Sequence, residues 1–271
     1  MSSVLKHNLK YGTILLLIFG LLWAGLALVP WGKMFSDTAD FAVSIDQEEK
    51  LGELIVETMI GEEGSEQVVH NPTLDSAMNE VTGRLLKSLG PTDYNYKIQI
   101  IENDEPNAFT LPGGYIFIHK GLISFCDSPE EVAAILAHEI GHAEKRHVMS
   151  KLIKELGIAL VFSVLTGGDA TIIHELFQTA TSTMFDRDQE KEADDFSFRL
   201  MEKSNLNSQT IAVFFRKLNR EYGDFGEAAE ILQTHPNNAS RIKAALEYKN
   251  APGFEMIPFK SDWKSVQLSV Q

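Results

Sequence analysis

"AHEIGHAEKRH", residues 137–147, places a glutamate between two histidines four positions apart. Helix start signals stand just upstream. In "SPEE", Ser128 suits the cap, Pro129 the first helical position and Glu131 the completion of a capping box. On a helix starting there, His138 and His142 stand one above the other, so both imidazoles can reach a single ion. Glu139 lies about 100° further round, free to serve a water whose pKa a zinc ion lowers from 15.7 to about 7. This is the HExxH arrangement. Val132, Ile135, Leu136 and Ala143 supply an inward face, and Gly141 predicts close packing, since glycine costs about 1 kcal/mol against alanine in a helix interior. A chance match to so short a pattern has odds of about one per cent in a chain with eight histidines. The rest of the sequence must therefore supply a third ligand.

One class of zinc hydrolase takes a histidine six positions after the second, which here is Val148, so that class is excluded. His147 misses by one position and reads as a surface helix residue. The other common solution is a carboxylate on a later helix. "DRDQEKEADDFSFRLM", from Asp186, is such a helix, with Ala193, Phe196 and Leu200 as its buried stripe. Glu190 and Asp194 are four apart and share a face. Either one ligates while the other supports the site from behind, or both belong to a solvated acidic face, the usual place of a charge run. Glu192 and Asp195 are assigned to that solvated face.

Composition narrows the rest. A chain of 271 residues, 44% of them hydrophobic, can bury a substantial core, and its formal charge of −14 argues against a nucleic-acid partner. Cys126 is the single cysteine, so no intrachain disulfide forms. From Tyr11 to Val29 the chain carries no charge, and as a helix that segment spans about 28 Å, enough to cross a bilayer core. Lys6 and Lys10 precede it while Asp37 and Asp40 follow, which places the N-terminus in the cytoplasm and the remainder outside. A cleaved signal peptide is the rival reading, but no clean small-x-small site precedes Pro30.

The expected organisation is a short cytoplasmic N-terminus (1–10), a transmembrane anchor (11–30), a linker (31–43), one domain (44–250) and a tail (251–271) that either folds back or binds a partner. Within the domain, helices are expected over 47–60 and 74–89. A strand follows over 94–101, then a loop, "NDEPNAFTLPGG" (103–114), then a second strand, Tyr115–Ile118. Helices with turns near Gly167, Gly223 and Pro236 complete it. The fold class is mainly α with a small β-sheet (α+β). The run "LGIALVFSVL" (156–165) is too short to span a membrane. It is expected to pack near the site or rest on a bilayer.

Four segments, "NAFTLPGGYIFIHKGLI" (107–123), "EEVAAILAHEIGHAEKRH" (130–147), "RDQEKEAD" (187–194) and "THPNNASRI" (234–242), follow the order and spacing of the HtpX-like and CAAX-prenyl-protease-like zinc peptidases, family forty-eight of the metallopeptidases. The chain resembles that family over most of its length after the linker. The resemblance implies a zincin-type (gluzincin) domain holding one Zn2+ on His138, His142 and Glu190, with Glu139 as general base. It makes Asp194 a supporting residue also proposed as a proton donor. It sets His235 close to the metal or to the oxyanion, with Arg241 pairing an acid to hold that segment. It also implies that strand Tyr115–Ile118 borders the cleft, where an extended substrate could pair along its edge, with Asn107 either donating to substrate or shaping the loop. Asp186 stands where relatives often have serine, a difference that concerns a helix cap. The implied activity is endopeptidase cleavage of misfolded or unassembled envelope proteins at the periplasmic face of a bacterial inner membrane, with a chaperone-like assembly factor as the alternative. Its partners would be unfolded or extended chains and, through the N-terminal helix, the membrane; oligomeric state is open.

Overall fold

In a computed structural model of the chain, residues 43–60, 66–182, 184–222, 230–235 and 238–270 are described. The anchor expected over 11–30, most of the linker, and the turns at Gly223 and Pro236 lie outside them. Among the described residues no helix is long and apolar enough to cross a membrane.

Two helices lead, α1 (Ile45–Met59) and α2 (Pro72–Leu89). Ser44 and Gln47 close a capping box on α1, and Asn71 caps α2 ahead of Pro72. Three strands follow, β1 (Lys97–Ile101), β2 (Ala108–Leu111) and β3 (Tyr115–His119), in the order β1-β3-β2. β1 runs parallel to β3 with Ile98 opposite Ile116, and β2 runs antiparallel to it with Phe109 opposite Phe117. The remainder is helical: α3 (Lys120–Phe125), α4 (Pro129–Glu144), α5 (His147–Leu156), α6 (Ile158–Leu165), α7 (Ala170–Ser182), α8 (Arg187–Lys203), α9 (Thr210–Tyr222), α10 (Glu230–Thr234), α11 (Asn238–Glu247) and α12 (Trp263–Leu268). A mainly helical body with one small sheet is therefore the observed class.

Two expectations about the sheet need correction. The stretch taken as a loop contains β2, and β3 is the central strand, so its edges are already occupied by β1 and β2. Among the described residues no strand pairs with the edge of β2 away from β3.

α4 is central. Every residue from Glu131 to Ala143 is buried, because α2, α8, α9 and β2 pack around it. Ser128 accepts from the Glu131 amide as a cap should, at 3.4 Å, but Glu131 reaches past Ser128 to accept from the Asp127 amide at 3.1 Å. The expected capping box is thus shifted by one residue. α6 packs on α1, α5 and α7 and buries Val161 and Val164.

Beyond Glu247 the chain folds back onto the body. Trp263 Nε1 donates to the Cys126 carbonyl at 2.8 Å, Gln267 Nε2 donates to the same oxygen at 2.9 Å, and Val266 is buried. Arg84 lies 4.0 Å over the Phe259 ring. Of the two fates expected for this tail, folding back is the one observed.

Candidate metal centre

α4 and α8 touch at their smallest residues. A Cβ on Gly141 would meet the Ala193 carbonyl oxygen at 3.0 Å and the Ala193 Cα at 3.1 Å, so the close packing expected of this glycine is present. The contact decides which side chains meet. His138 and His142 flank Gly141 on one helix, and Glu190 and Asp194 flank Ala193 on the other. All four are buried, which removes the solvated-face reading for Glu190 and Asp194.

His235, just after α10, enters from a third direction. Its Nδ1 lies 2.8 Å from Glu190 Oε1 and 3.3 Å from His138 Nε2. His142 Nε2 lies 3.0 Å from His138 Nε2 and 3.4 Å from Glu190 Oε1, and His138 Nε2 lies 3.6 Å from Glu190 Oε2. One donor atom from each of the four residues falls within 4.8 Å of every other. A tetrahedral ion with bonds of about 2.0–2.1 Å separates its ligand atoms by about 3.3 Å, the middle of the observed spread. Glu190 Oε2 is buried with the Arg241 ion pair as its charged contact and no hydrogen bond of good geometry, so a carboxylate lone pair can still serve such an ion. Two or three imidazoles with one carboxylate form a donor set suited to zinc among the divalent metals.

Charged neighbours hold this set. Asp194 Oδ1 lies 3.0 Å from His138 Nδ1, so it can accept that proton and leave Nε2 bare. Arg241 donates from Nε and Nη2 to the two Asp194 oxygens, each at 2.8 Å, and its Nη1 sits 2.9 Å from Glu190 Oε2. Burial alone would push both carboxyl groups up. His235 and Arg241 outweigh it at Glu190, as Arg241 and His138 do at Asp194, and both acids are held below their usual range. Burial pushes the His142 imidazole well below its ordinary value, which keeps a lone pair available. Its ring stacks on Phe185 with centroids 3.9 Å apart, and Lys151 Nζ lies 4.1 Å over the Phe185 ring.

Glu139 points toward the sheet. Thr110 Oγ1 of β2 lies 2.8 Å from Glu139 Oε2 and 3.1 Å from the Glu139 carbonyl, and His235 Nε2 lies 3.6 Å from Glu139 Oε1. The carboxylate is thus steered by one hydroxyl and stays beside the donor cluster without joining it. The profile of Peptidase family M48 matches residues 71–249, a span that contains all of these side chains.

The chain belongs to peptidase family M48. It is 27% identical over 244 residues to the mitochondrial metalloendopeptidase OMA1 of Schizosaccharomyces pombe, covering 85% of this chain and 71% of that protein. It is 26% identical over 254 residues to the beta-barrel assembly-enhancing protease of Yersinia pestis, covering 87% of this chain and 52% of the relative. For the Escherichia coli K12 protein of the same name the identity is 27% over 226 residues, covering 79% and 46%. The chain spans about half the length of these bacterial relatives. Its class is that of the family, a metallopeptidase.

Within this M48 chain, Asn107 shapes its own loop. Its Oδ1 accepts from the Ala108 amide at 2.9 Å, and its carbonyl accepts from His119 N at 2.9 Å. Asp186 caps α8 with Gln189 in a capping box. His147, expected on the surface, is buried at 4% exposure against His142. A helix continued unbroken from His142 would turn position 147 about 140° away. The helix instead ends at Glu144, and Arg146 in a left-handed conformation (φ 52°, ψ 31°) redirects the chain. Thr110 and Phe185 were not singled out from the sequence either.

Proposed function

We propose that this chain is a zinc-dependent endopeptidase. In this reading His138, His142 and Glu190 hold the ion, Glu139 is the general base, and Asp194 and His235 assist. The convergence of two imidazoles from α4 and a carboxylate from α8, with a second carboxylate held just outside the set, is the observation that carries it. Zinc in such a site supplies Lewis acidity, polarising a carbonyl and bringing a water's pKa to about 7.

The chain's own residues do the rest. Glu139, aimed by Thr110, takes the proton of the attacking water and returns it to the leaving amine. His235 Nε2 faces the same space and can donate to the oxyanion of the tetrahedral intermediate. Asp194, fixed by Arg241, orients His138. An extended substrate pairs along β2 rather than β3, because β2 has the unpaired edge and carries Thr110 to the base. Recognition through main-chain hydrogen bonds gives affinity with little side-chain selectivity. That suits unfolded or unassembled proteins as substrates, in line with the names of the bacterial relatives. The hydrophobic segment 11–30 would anchor the domain at the periplasmic face of a bacterial inner membrane.

Glu139→Gln tests the reading. It keeps volume and leaves the ligands in place while removing the base. Cleavage of an unfolded reporter protein is expected to fall by about 10²–10⁴-fold, the usual contribution of a positioned acid–base group. Bound zinc, counted by elemental analysis, should be unchanged. Unaltered cleavage by the variant would defeat the enzymatic assignment and favour a chaperone-like role.

A further inference from the structure

We propose that His147 is a positioning residue for the metal centre and forms, with Glu192, a hydrogen-bonded relay that fixes the tautomer and ring plane of His142. The inference rests on the metal-centre reading above and extends it to residues outside the donor set.

The hydrogen-bond chain has one consistent direction. His142 turns Nε2 toward His138 and Glu190, and a nitrogen that ligates a cation carries no proton. The His142 proton then sits on Nδ1, which lies 3.0 Å from His147 Nδ1. Only one of those two nitrogens can hold a proton along the contact, so His147 accepts there and keeps its own proton on Nε2. That nitrogen lies 3.3 Å from Glu192 Oε2, a carboxylate on a side chain 58% exposed. The two α4 histidines are thus backed differently. His138 leans on the buried Asp194 directly, whereas His142 reaches a surface glutamate through a second imidazole.

The backbone supplies an independent observation. His147 reaches His142 because Arg146 adopts the left-handed region, which L side chains rarely take up. That conformation is held by the Arg146 side chain, whose Nε donates to the buried Glu48 Oε2 at 2.9 Å and whose Nη2 donates to the Val43 carbonyl at 2.6 Å. A strained residue clamped by an ion pair from α1, directly before His147, is what aiming that imidazole requires. Phe185 stacks on the His142 ring and completes its confinement.

The test uses the purified full-length chain, stripped of metal and titrated with Zn2+ against a chromophoric chelator. His147→Asn places its Oδ1 near the position of Nδ1 and can still accept from His142, whereas His147→Gln cannot reach back to that point. The Gln variant is expected to bind Zn2+ about 10–100-fold more weakly, the usual loss when an outer partner of a metal ligand is removed. His147→Asn should retain most of the wild-type affinity. Glu192→Gln should show a smaller loss with an unchanged melting temperature in the metal-free state, because its side chain is mostly solvated. Equal affinity across the wild type and the three variants overturns the proposal. So does an Asn variant as weak as the Gln variant, since the site would then need the ring's volume and not its acceptor. Failure of the wild type to bind Zn2+ at all would count against the metal-centre reading itself, and it is visible in a separate arm of the titration.

Discussion

Gly141→Ala adds one methyl group at the point where α4 and α8 touch. The new Cβ would stand 3.0 Å from the Ala193 carbonyl oxygen, 3.1 Å from its Cα and 3.3 Å from Phe196 Cβ. Carbon pairs settle at about 3.5–4.0 Å, so α8 must retreat by roughly half an ångström. Overpacking of this kind costs about 1–3 kcal/mol, and the better helix propensity of alanine returns about 1 kcal/mol. The net loss of stability is therefore small, about 0–2 kcal/mol. The donor set is less tolerant. Metal–ligand distances hold to within about 0.2 Å, and Glu190 moves with α8 while both histidines stay on α4. Zn2+ affinity, measured by chelator competition, is expected to fall at least about tenfold, the scale of lost outer support in metal sites. Gly83→Ala is the control. Its Cβ meets nothing within 4 Å, so it should gain up to about 1 kcal/mol and bind metal normally. A Gly141→Ala protein with wild-type affinity would refute the idea that this contact sets the distance between the ligands.

Other perturbations have equally defined outcomes. Burial lowers the Lys151 pKa from 10.5 to about 8, so between those values the unfolded chain binds more protons and stability rises with pH; urea unfolding at pH 8, 9 and 10 should show that rise in the wild type and not in Lys151→Met. Arg241→Met leaves Asp194 and Glu190 buried without their guanidinium, an expected loss of about 3–5 kcal/mol in the metal-free protein, read by denaturant titration. Asp194 and Glu190 are held below their ordinary values of 3.8 and 4.5, so the stability they confer is present above those values and is lost as pH falls through the lower folded ones; the Arg241→Met protein should lose it at higher pH. Chelation of the metal should lower the melting temperature of the wild type, and calorimetry in the presence and absence of chelator measures the gap.

How far the sequence carried depended on the range of the interactions involved. α4 was legible because its cap, its proline and its histidine spacing all act within a few residues. The pairing of Glu190 with Asp194 and the role of Gly141 followed from helix geometry alone. β2 was not legible, since its four residues are all buried and, next to Pro112, carry neither alternation nor length. His147 was hidden for another reason. Its position depends on Arg146 adopting a left-handed conformation, and the partner that holds it, Glu48, lies 98 residues away. The tail is similar: Trp263 finds its acceptor at Cys126, 137 residues earlier, a pairing that no local pattern encodes.

The charge arrangement of the centre explains why these elements form one unit rather than a set of separate motifs. Three carboxyl groups, Glu139, Glu190 and Asp194, are enclosed with a single guanidinium, Arg241, in direct contact with two of them. Counted as carboxylates, they outnumber that guanidinium even with the buried Lys151 ammonium acting on Glu139 and Glu190, which leaves a negative excess in a space where an unpaired charge costs several kcal/mol. Hydrogen bonds from Thr110 and the imidazoles spread that excess without cancelling it. A cation on the donor atoms would offset it. Arg241, paired with both Asp194 and Glu190, holds them below the usual carboxyl range, which keeps the donor carboxylate ready for a cation.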